Sequence, residues 1–291
     1  MKKYGYSAFW LLCVSLIITS CGITNSNNNT VAKEETSETS DNLNMGIALY
    51  SFNLFSFSES LKKADSADVK YVEGFSFHAL KGEFKDSTME NLSPAGIKIM
   101  KKILDAKGIK MKSMYVSGAK NAAGWKRYFE MAKTLEMDFL VAEPKKEHWD
   151  LLDSLGEIYK VKIAIHEHAK GSSAYWHPDS VLAAIKGHKN IGACADLGHW
   201  TRSGLDVVKC LNQLKGHIMG IHLKDVSKAE IEGEDVIVGK GVIDFASVTR
   251  ELKAQKFTGI IYMECEHQMD NNVPDIIKSI RYFNKVAARV K

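Results

Sequence analysis

The feature that most constrains the fold is a regular alternation of short β-like runs with amphipathic helical stretches along most of the chain. Strand-like runs occur at 46–52, 69–77, 109–116, 137–143, 161–168, 191–196, 217–225 and 259–266. Helical patterns lie between them, as in 93–108, where apolar side chains recur at helical spacing between Ser93-Pro94 and Gly108. Eight strands that are each followed by a helix predict an α/β fold of the (β/α)8 TIM-barrel type.

A doubly wound open sheet is the main alternative fold. That fold usually places a glycine-rich phosphate-binding turn directly after its first strand. Residues 53–60, which follow the first predicted strand, contain no glycine. The barrel is therefore favoured, and residues 45–291 have the usual length of about 250 residues for one such domain.

The N-terminal residues have the composition of an export signal followed by a tether. Two lysines precede an apolar run over 8–18, which leads into ITSC, a match to the bacterial lipobox that ends at Cys21. We expect residues 1–21 to be a lipoprotein signal peptide with Cys21 lipidated; an uncleaved anchor helix is the alternative. Residues 22–44 are polar and poor in apolar side chains, so we expect a disordered linker. Both alternatives place the TIM-barrel domain outside the cytoplasm, membrane-anchored in the periplasm or cell envelope.

Charge and cysteine content exclude some functions. The formal net charge is +4 and falls to +2 without the two signal lysines, so nothing favours a nucleic-acid partner. Three cysteines lie in the predicted domain, at positions 194, 210 and 265, and no C-x-x-C motif occurs. We expect these cysteines to be small buried residues, with one disulfide pair as the alternative.

Ionisable residues are concentrated at the C-terminal ends of the predicted strands, where barrel enzymes carry their active sites. From strand two to strand eight these residues are Glu73, Glu143, His166, His168, Asp196, His199, His222, Lys224, Glu264 and Glu266. Residues two apart on a strand share a face, and strands four to eight are neighbours, so these side chains should converge. A structural role, such as a helix cap or an ion pair, is the alternative for each residue taken alone.

A convergent set of carboxylates is electrostatically costly unless a cation compensates it. Asp196, His222 and Glu264 come from three successive strands, which favours a divalent metal site over unrelated structural roles. Carboxylate and imidazole ligands without a thiolate suit Mn²⁺, Co²⁺, Zn²⁺, Fe²⁺ or Mg²⁺.

The motifs CADLGHW, IHLKD and MECE resemble those of the xylose isomerase-like TIM barrels, the superfamily of sugar isomerases, epimerases and endonuclease IV. The resemblance covers about residues 45–291 and implies a metal held by a strand-five residue together with Asp196, His222 and Glu264. Many sugar epimerases of this group have glutamate in strand five, where this chain has His166. The fourth ligand is therefore either His166 or Glu143, and we prefer Glu143.

The resemblance implies a metal-dependent sugar isomerase or epimerase that removes a proton next to the carbonyl of a keto-sugar. The metal would act as a Lewis acid. Glu264 or Glu143 would take the proton, and His168, His199 or Lys224 would return it.

Three further residues are expected to contact the substrate. Tyr50 and Trp200 offer rings that could stack on the apolar face of a sugar, and Glu73 is expected to bind it. The expected substrate is a small sugar or glycoside, because sugar phosphates are mainly cytoplasmic.

Three other functions remain as alternatives. If a β-oxygen is expelled after the same proton removal, the protein would be a 3-keto-glycoside lyase or hydratase. A sugar oxidoreductase would then have to supply its keto-sugar. A non-catalytic sugar-binding lipoprotein is less favoured, because the acidic cluster would then have no reason to be present. An endonuclease IV-like phosphoesterase is disfavoured by the weak net charge and the expected tether.

Overall fold

A computed structural model of the protein describes residues 43–85 and 87–290. The expected signal peptide, the lipidation site Cys21 and the linker up to residue 42 lie outside the described residues. The first strand begins at Asn44, one residue before the expected start of the folded domain.

Eight parallel strands form a closed barrel, which confirms the predicted (β/α)8 fold. Along the described chain the strands are β1 (Asn44–Ala48), β2 (Tyr71–Phe75), β3 (Lys110–Tyr115), β4 (Phe139–Ala142), β5 (Lys162–His166), β6 (Ile191–Asp196), β7 (Ile218–Leu223), β8 (Asp225–Val226), β9 (Asp235–Val236) and β10 (Ile260–Met263). The barrel closes because β1 pairs with both β2 and β10. The short strands β8 and β9 pair with each other as an antiparallel hairpin outside the barrel.

The helices pack around the barrel and start where the sequence supplies capping residues. They are α1 (Phe57–Ser66), α2 (Pro94–Ala106), α3 (Ala122–Thr134), α4 (Trp149–Tyr159), α5 (Pro178–Ile185), α6 (Leu197–Arg202), α7 (Val207–Gln213), α8 (Phe245–Ala254) and α9 (Val273–Arg289). The α2 helix begins as predicted: the Ser93 side chain accepts a hydrogen bond from the Gly96 N–H, and Pro94 follows the cap. Within the described residues, no helix is both long and apolar enough to cross a membrane.

Strand alternation divides the core into a layer between strands and helices and a smaller cluster inside the barrel. In β6, Ala193 and Ala195 belong to the outer layer, while Cys194 lies in the inner cluster. Asp196 is two residues beyond Cys194 and therefore shares its inward face. The same rule turns His222 and Glu264 inward from β7 and the end of β10. Cys194, Cys210 and Cys265 are free and buried, as predicted.

Candidate active site

A cavity of about 360 Å³ opens at the C-terminal end of the barrel, and its two sides differ in chemistry. One side is aromatic and consists of Tyr50, Phe75, Phe77 and Tyr115. The other side is ionisable and consists of His166, His168, His199, His222, Lys224, Glu264 and Glu266. This volume is in the range of about 300–1,000 Å³ that small-molecule sites occupy. The structure thus brings most of the ionisable residues singled out in the sequence into one small-molecule cavity.

Three donor atoms, from His166, Asp196 and His222, converge at the base of the cavity, and a fourth from Glu264 lies beside His222. The His166 Nε2 and His222 Nδ1 atoms are 3.1 Å apart, and each is 3.6 Å from Asp196 Oδ2. Glu264 Oε2 lies 3.0 Å from His222 Nδ1. Each donor comes from a different strand or strand end, so the closure of the barrel itself brings these atoms together.

This donor set fits a divalent metal ion. Asp196 is fully buried, and its Oδ2 makes no hydrogen bond and has only the charge of the Lys224 ammonium, 3.3 Å away, to compensate its desolvation. Four donors about 2.0–2.2 Å from a shared ion in a tetrahedron would be roughly 3.3–3.6 Å apart. The donor separations of 3.0–3.6 Å are close to that range. Imidazole and carboxylate donors also match the metals that the sequence suggested.

The two oxygens of Asp196 have different roles. Asp196 ends β6 and is the N-cap of α6, because its Oδ1 accepts a hydrogen bond of 2.8 Å from the His199 N–H. The Oδ2 atom remains directed at the donor group. The pKa of His199 is lowered to about 3, mainly by burial and also by the nearby Lys224. The His199 imidazole is therefore neutral. In the D-x-x-H motif, the aspartate therefore caps the helix with one oxygen and offers the other to the donor group.

Lys224 supplies a buried positive charge beside the donor group. Its ammonium lies 3.3 Å from Asp196 Oδ2, 3.0 Å from Glu264 Oε2 and 2.6 Å from Glu266 Oε1. Burial acts to lower the pKa of Lys224, but these carboxylates raise it well above its usual value. Gly198 in α6 makes room for the lysine stem, because a Cβ there would be 3.0 Å from the lysine Cδ.

The carboxylates beside these cations remain ionised. Burial acts to raise the pKa of Asp196 and of Glu264, but neighbouring cations hold both pKa values below their usual range. Lys224 and the imidazoles of His166 and His222 act on Asp196, while Lys224 and His222 act on Glu264. The base of the cavity therefore carries two carboxylates and a buried ammonium in close contact.

Glu143, the preferred fourth ligand in the sequence, lies outside the convergent donor group. It follows β4 and turns toward the cavity mouth, where its Oε1 is 2.6 Å from His168 Nδ1 and accepts a hydrogen bond from the Tyr115 hydroxyl. The Ser173 hydroxyl donates to its other oxygen. Burial acts to raise the pKa of Glu143, but hydrogen bonds from His166 and His168 lower it overall. The geometry favours His166 over Glu143 as the fourth donor, because His166 lies beside Asp196 and His222, whereas Glu143 forms a separate group of possible donors with His166 and His168.

Two of the three predicted substrate contacts are also corrected. Tyr50 lines the cavity, as expected. Glu73 is fully buried, and its carboxylate is bonded by Ser113 and His222, so a substrate in the cavity cannot reach it. Trp200 is fully buried in the outer core, because the turn of α6 directs its ring away from the cavity mouth.

Three aromatic residues of the cavity were missed in the sequence. Phe75 and Phe77 lie two residues apart at the end of β2, and Tyr115 ends β3. Their rings contact one another, with centroids 5.7 Å apart for Phe75 and Tyr115. The sequence contained the information needed to find them. Side chains two residues apart on a strand share a face, so Phe75 and Phe77 should share a face as His166 and His168 do.

Comparison with known proteins identifies related sequences and folds. The profile of a family described as xylose isomerase-like TIM barrel matches residues 61–286. An inosose dehydratase from Clostridium beijerinckii is 24% identical over 271 residues, which cover 76% of this chain and 89% of that protein.

Solved structures show the same architecture. A structure from Parabacteroides distasonis, of an uncharacterised protein, is 29% identical with a TM-score of 0.68, covering 84% of this chain and 98% of that one. A crystal structure of the IolI protein with a bound zinc atom has a TM-score of 0.69 at 17% identity, covering 86% of this chain and 99% of that one. At 17% identity the second similarity shows a shared fold, and the zinc atom belongs to that protein.

Proposed function

Because the chain belongs to the xylose isomerase-like TIM-barrel family, we propose that it is a divalent-metal-dependent enzyme that removes a proton next to the carbonyl of a keto-sugar. The observation that carries this proposal is the convergence of His166, Asp196, His222 and Glu264 at the base of a small-molecule cavity. Isomerisation or epimerisation is the first candidate outcome.

His166, Asp196, His222 and Glu264 would hold the ion, and the zinc atom in the IolI structure, which has the same fold, supports a bound divalent metal. When bound, a divalent ion supplies Lewis-acid polarisation of the substrate carbonyl. Imidazole and carboxylate donors do not select one ion among Mn²⁺, Co²⁺, Zn²⁺, Fe²⁺ and Mg²⁺. His166 replaces Glu143 as our proposed fourth ligand.

The residues around the donor group have the charges that proton transfer requires. Glu264 is ionised and lines the cavity, so its carboxylate is our candidate base for the carbon proton. His168 lines the same cavity near its mouth, and Glu143 holds its Nδ1 at 2.6 Å. We assign the return of the proton to His168, because its carboxylate partner orients the imidazole beside the cavity.

The remaining polar residues stabilise charge rather than move protons. The Lys224 ammonium lies beside Glu264 and Glu266 and can stabilise the negative charge that develops on a substrate oxygen. The neutral His199 lines the cavity, so its imidazole can hydrogen-bond to a sugar hydroxyl.

The aromatic side of the cavity supports a sugar ring as the substrate. A sugar ring has polar edges and an apolar face, and the cavity likewise pairs an ionisable side with an aromatic side. Tyr50 and Phe77, whose ring centroids are 6.3 Å apart, would cover the apolar face of the sugar. The exposed fraction of Phe77 is 41%, which leaves part of its ring available to a ligand.

Dehydration is the second candidate outcome. The name of the Clostridium beijerinckii relative, inosose dehydratase, favours it. Dehydration requires the same removal of a proton next to a carbonyl, followed by loss of a β-oxygen, so the same residues serve both outcomes. A 3-keto-glycoside would then be the corresponding substrate, made by a sugar oxidoreductase.

We also propose that the protein acts outside the cytoplasm as a lipid-anchored protein of the periplasm or cell envelope. The ITSC sequence that ends at Cys21 supports this location. A free sugar or glycoside, rather than a nucleic acid, is the partner that such a location and the near-neutral charge favour.

The test combines metal content with hydrogen exchange. The purified protein is analysed for divalent metals and then incubated in D₂O with a panel of keto-sugars and 3-keto-glycosides. We expect one bound ion and metal-dependent deuterium uptake at the carbon next to the carbonyl, and the product then separates epimerisation from dehydration. A folded protein with no bound metal and no exchange would instead support a sugar-binding role.

A further inference from the structure

We infer that Glu73 is a positioning residue that holds His222 in the orientation and proton arrangement needed at the metal site. Glu73 comes from β2 and His222 from β7, so their contact crosses the barrel interior. This inference rests on the metal site of the proposed function, and it concerns a residue that touches neither the cavity nor the substrate.

The two ring nitrogens of His222 have different partners: one contacts Glu73 and the other faces the metal-binding residues. His222 Nε2 is 2.7 Å from Glu73 Oε1, while His222 Nδ1 faces Asp196, Glu264 and His166. Nδ1 is the nitrogen that points at the other donors, so it would present its lone pair to the metal. A neutral imidazole bound in this way carries its proton on Nε2, which then donates to Glu73.

A second hydrogen bond fixes the carboxylate itself. The Ser113 hydroxyl is 2.6 Å from Glu73 Oε2 and 2.8 Å from the Tyr262 hydroxyl. The Ser113 hydroxyl is placed to donate to both the Glu73 carboxylate and the Tyr262 hydroxyl, and its single proton serves one of them at a time. The resulting chain runs from Tyr262 through Ser113 and Glu73 to His222, and it joins β10, β3, β2 and β7.

The burial of Glu73 is hard to explain as packing alone. Its exposed fraction is 0%, and a buried carboxylate is tolerated only where hydrogen bonds or opposite charge compensate its desolvation. The two bonds to Glu73 come from Ser113 and His222, and only His222 can carry a positive charge. A carboxylate that holds the second nitrogen of a metal-binding histidine is a common arrangement, and it orients the ring and strengthens the ligand.

A direct metal site deeper in the barrel is the competing explanation. Glu73, Cys194 and His222 present donor atoms within 4.8 Å of one another. The separation of 2.7 Å between His222 Nε2 and Glu73 Oε1 is a hydrogen-bond length and is shorter than each of the 3.0–3.6 Å separations in the donor group. A shared proton therefore fits this contact better than a shared ion.

The first experiment measures zinc affinity by competition with a chelator, in wild-type protein and in the Glu73→Gln, Ser113→Ala and Cys194→Ala variants. Glutamine keeps the size and a carbonyl acceptor but loses the charge, so we expect Glu73→Gln to weaken zinc binding about 10–100-fold. Ser113→Ala leaves the carboxylate in place and should weaken zinc binding less. Cys194→Ala should bind zinc like the wild type.

A second measurement tests the proton arrangement without changing Glu73. In zinc-loaded wild-type protein, ¹H NMR should show a strongly downfield, slowly exchanging imidazole N–H signal that His222→Gln removes. That signal should change its chemical shift in Ser113→Ala, because the carboxylate loses one of its two hydrogen-bond donors. The inference is overturned if the wild type lacks this signal or if folded Glu73→Gln binds zinc within about twofold of the wild type. It is also overturned if Cys194→Ala loses zinc binding, since Cys194 would then be a ligand beside Glu73.

These readouts use no substrate and are therefore separate from the test of activity. If zinc binding depends on Glu73 but no deuterium exchange occurs with any keto-sugar, the positioning role stands and the proposed reaction fails. If the wild type binds zinc and Glu73→Gln binds it equally well, the positioning role alone fails. A wild type that binds no divalent ion overturns both.

Discussion

At the scale of single residues, the site depends on side chains that serve two purposes at once. Asp196 caps a helix with one oxygen and directs the other at the donor group. His222 contacts Glu73 with one ring nitrogen and the donor group with the other. Because each residue has two bonding atoms with different partners, substitutions can separate the structural role from the chemical one.

Asp196 offers such a separation. Asparagine is as good an N-cap as aspartate, whereas alanine is not. We expect Asp196→Asn and Asp196→Ala to lose metal binding alike, because neither offers an anionic oxygen to the donor group. The alanine variant should unfold more easily than the asparagine variant by about 1 kcal/mol. Elemental analysis measures the first effect and urea denaturation the second.

Asp206 provides the matched control for that experiment. It caps α7 by accepting a hydrogen bond of 3.0 Å from the Lys209 N–H, and its side chain does not line the cavity. Asp206→Ala should lose about 1 kcal/mol of stability and retain the bound metal. Wild-type metal affinity in Asp196→Asn would show that Asp196 is not a ligand.

At the scale of elements, the loop between β7 and α8 is organised by Asp225, which directly follows Lys224. Its Oδ1 accepts hydrogen bonds from the N–H groups of Val226 and Ile243, and its Oδ2 accepts from those of Gly239 and Gly241. The H-x-K-D motif thus contributes one residue to the donor group, one charge to the cavity and one anchor to the loop.

Loss of this anchor should destabilise the protein strongly. Asp225→Ala would leave four buried or half-buried N–H groups without their acceptor, so we expect a loss of about 2–4 kcal/mol in the free energy of unfolding. Asp244→Ala, which removes an exposed N-cap of α8, should cost only about 1 kcal/mol. Equal midpoints of urea denaturation for the two variants would show that the loop does not depend on Asp225.

At the scale of the whole molecule, elements distant in sequence are joined by a small number of buried polar contacts. His267, which follows β10, lies 2.9 Å from Asp235 in β9 and 3.4 Å from Asp275 in α9. The hydrogen bond to Asp235 is the main cause that raises the pKa of His267 above its usual value, and Asp275 adds to it. The imidazolium therefore links the hairpin, the barrel and the last helix.

This link should make stability depend on pH. A histidine whose pKa is raised in the folded state stabilises the fold fully below its unfolded pKa of about 6.5, and this stabilisation is lost as the pH rises through the folded pKa. Urea denaturation at about pH 6 and about pH 9 should show a larger loss of stability for wild type than for His267→Gln over this interval. Identical pH dependence of the two proteins would contradict the role of His267.

Much of the fold and part of the site follow from patterns within single segments. Helix caps such as Ser93 and the alternation of inward and outward residues depend on neighbours a few positions away, so local reading predicts them. That alternation placed Asp196, His222 and Glu264 on the inward face at the ends of three successive strands. The closed barrel then follows from the number and order of the βα units.

The sequence by itself therefore determined the class of fold and the candidate donors, and only the tertiary structure decided their partners. His166 faces Asp196 and His222, whereas Glu143, which follows β4, contacts His168 and Tyr115. Glu73 lies beneath the site rather than in it, and Trp200 packs outside the barrel. These outcomes depend on distances between strands far apart in sequence and on how each chain leaves its strand, and no pattern within one segment contains that information.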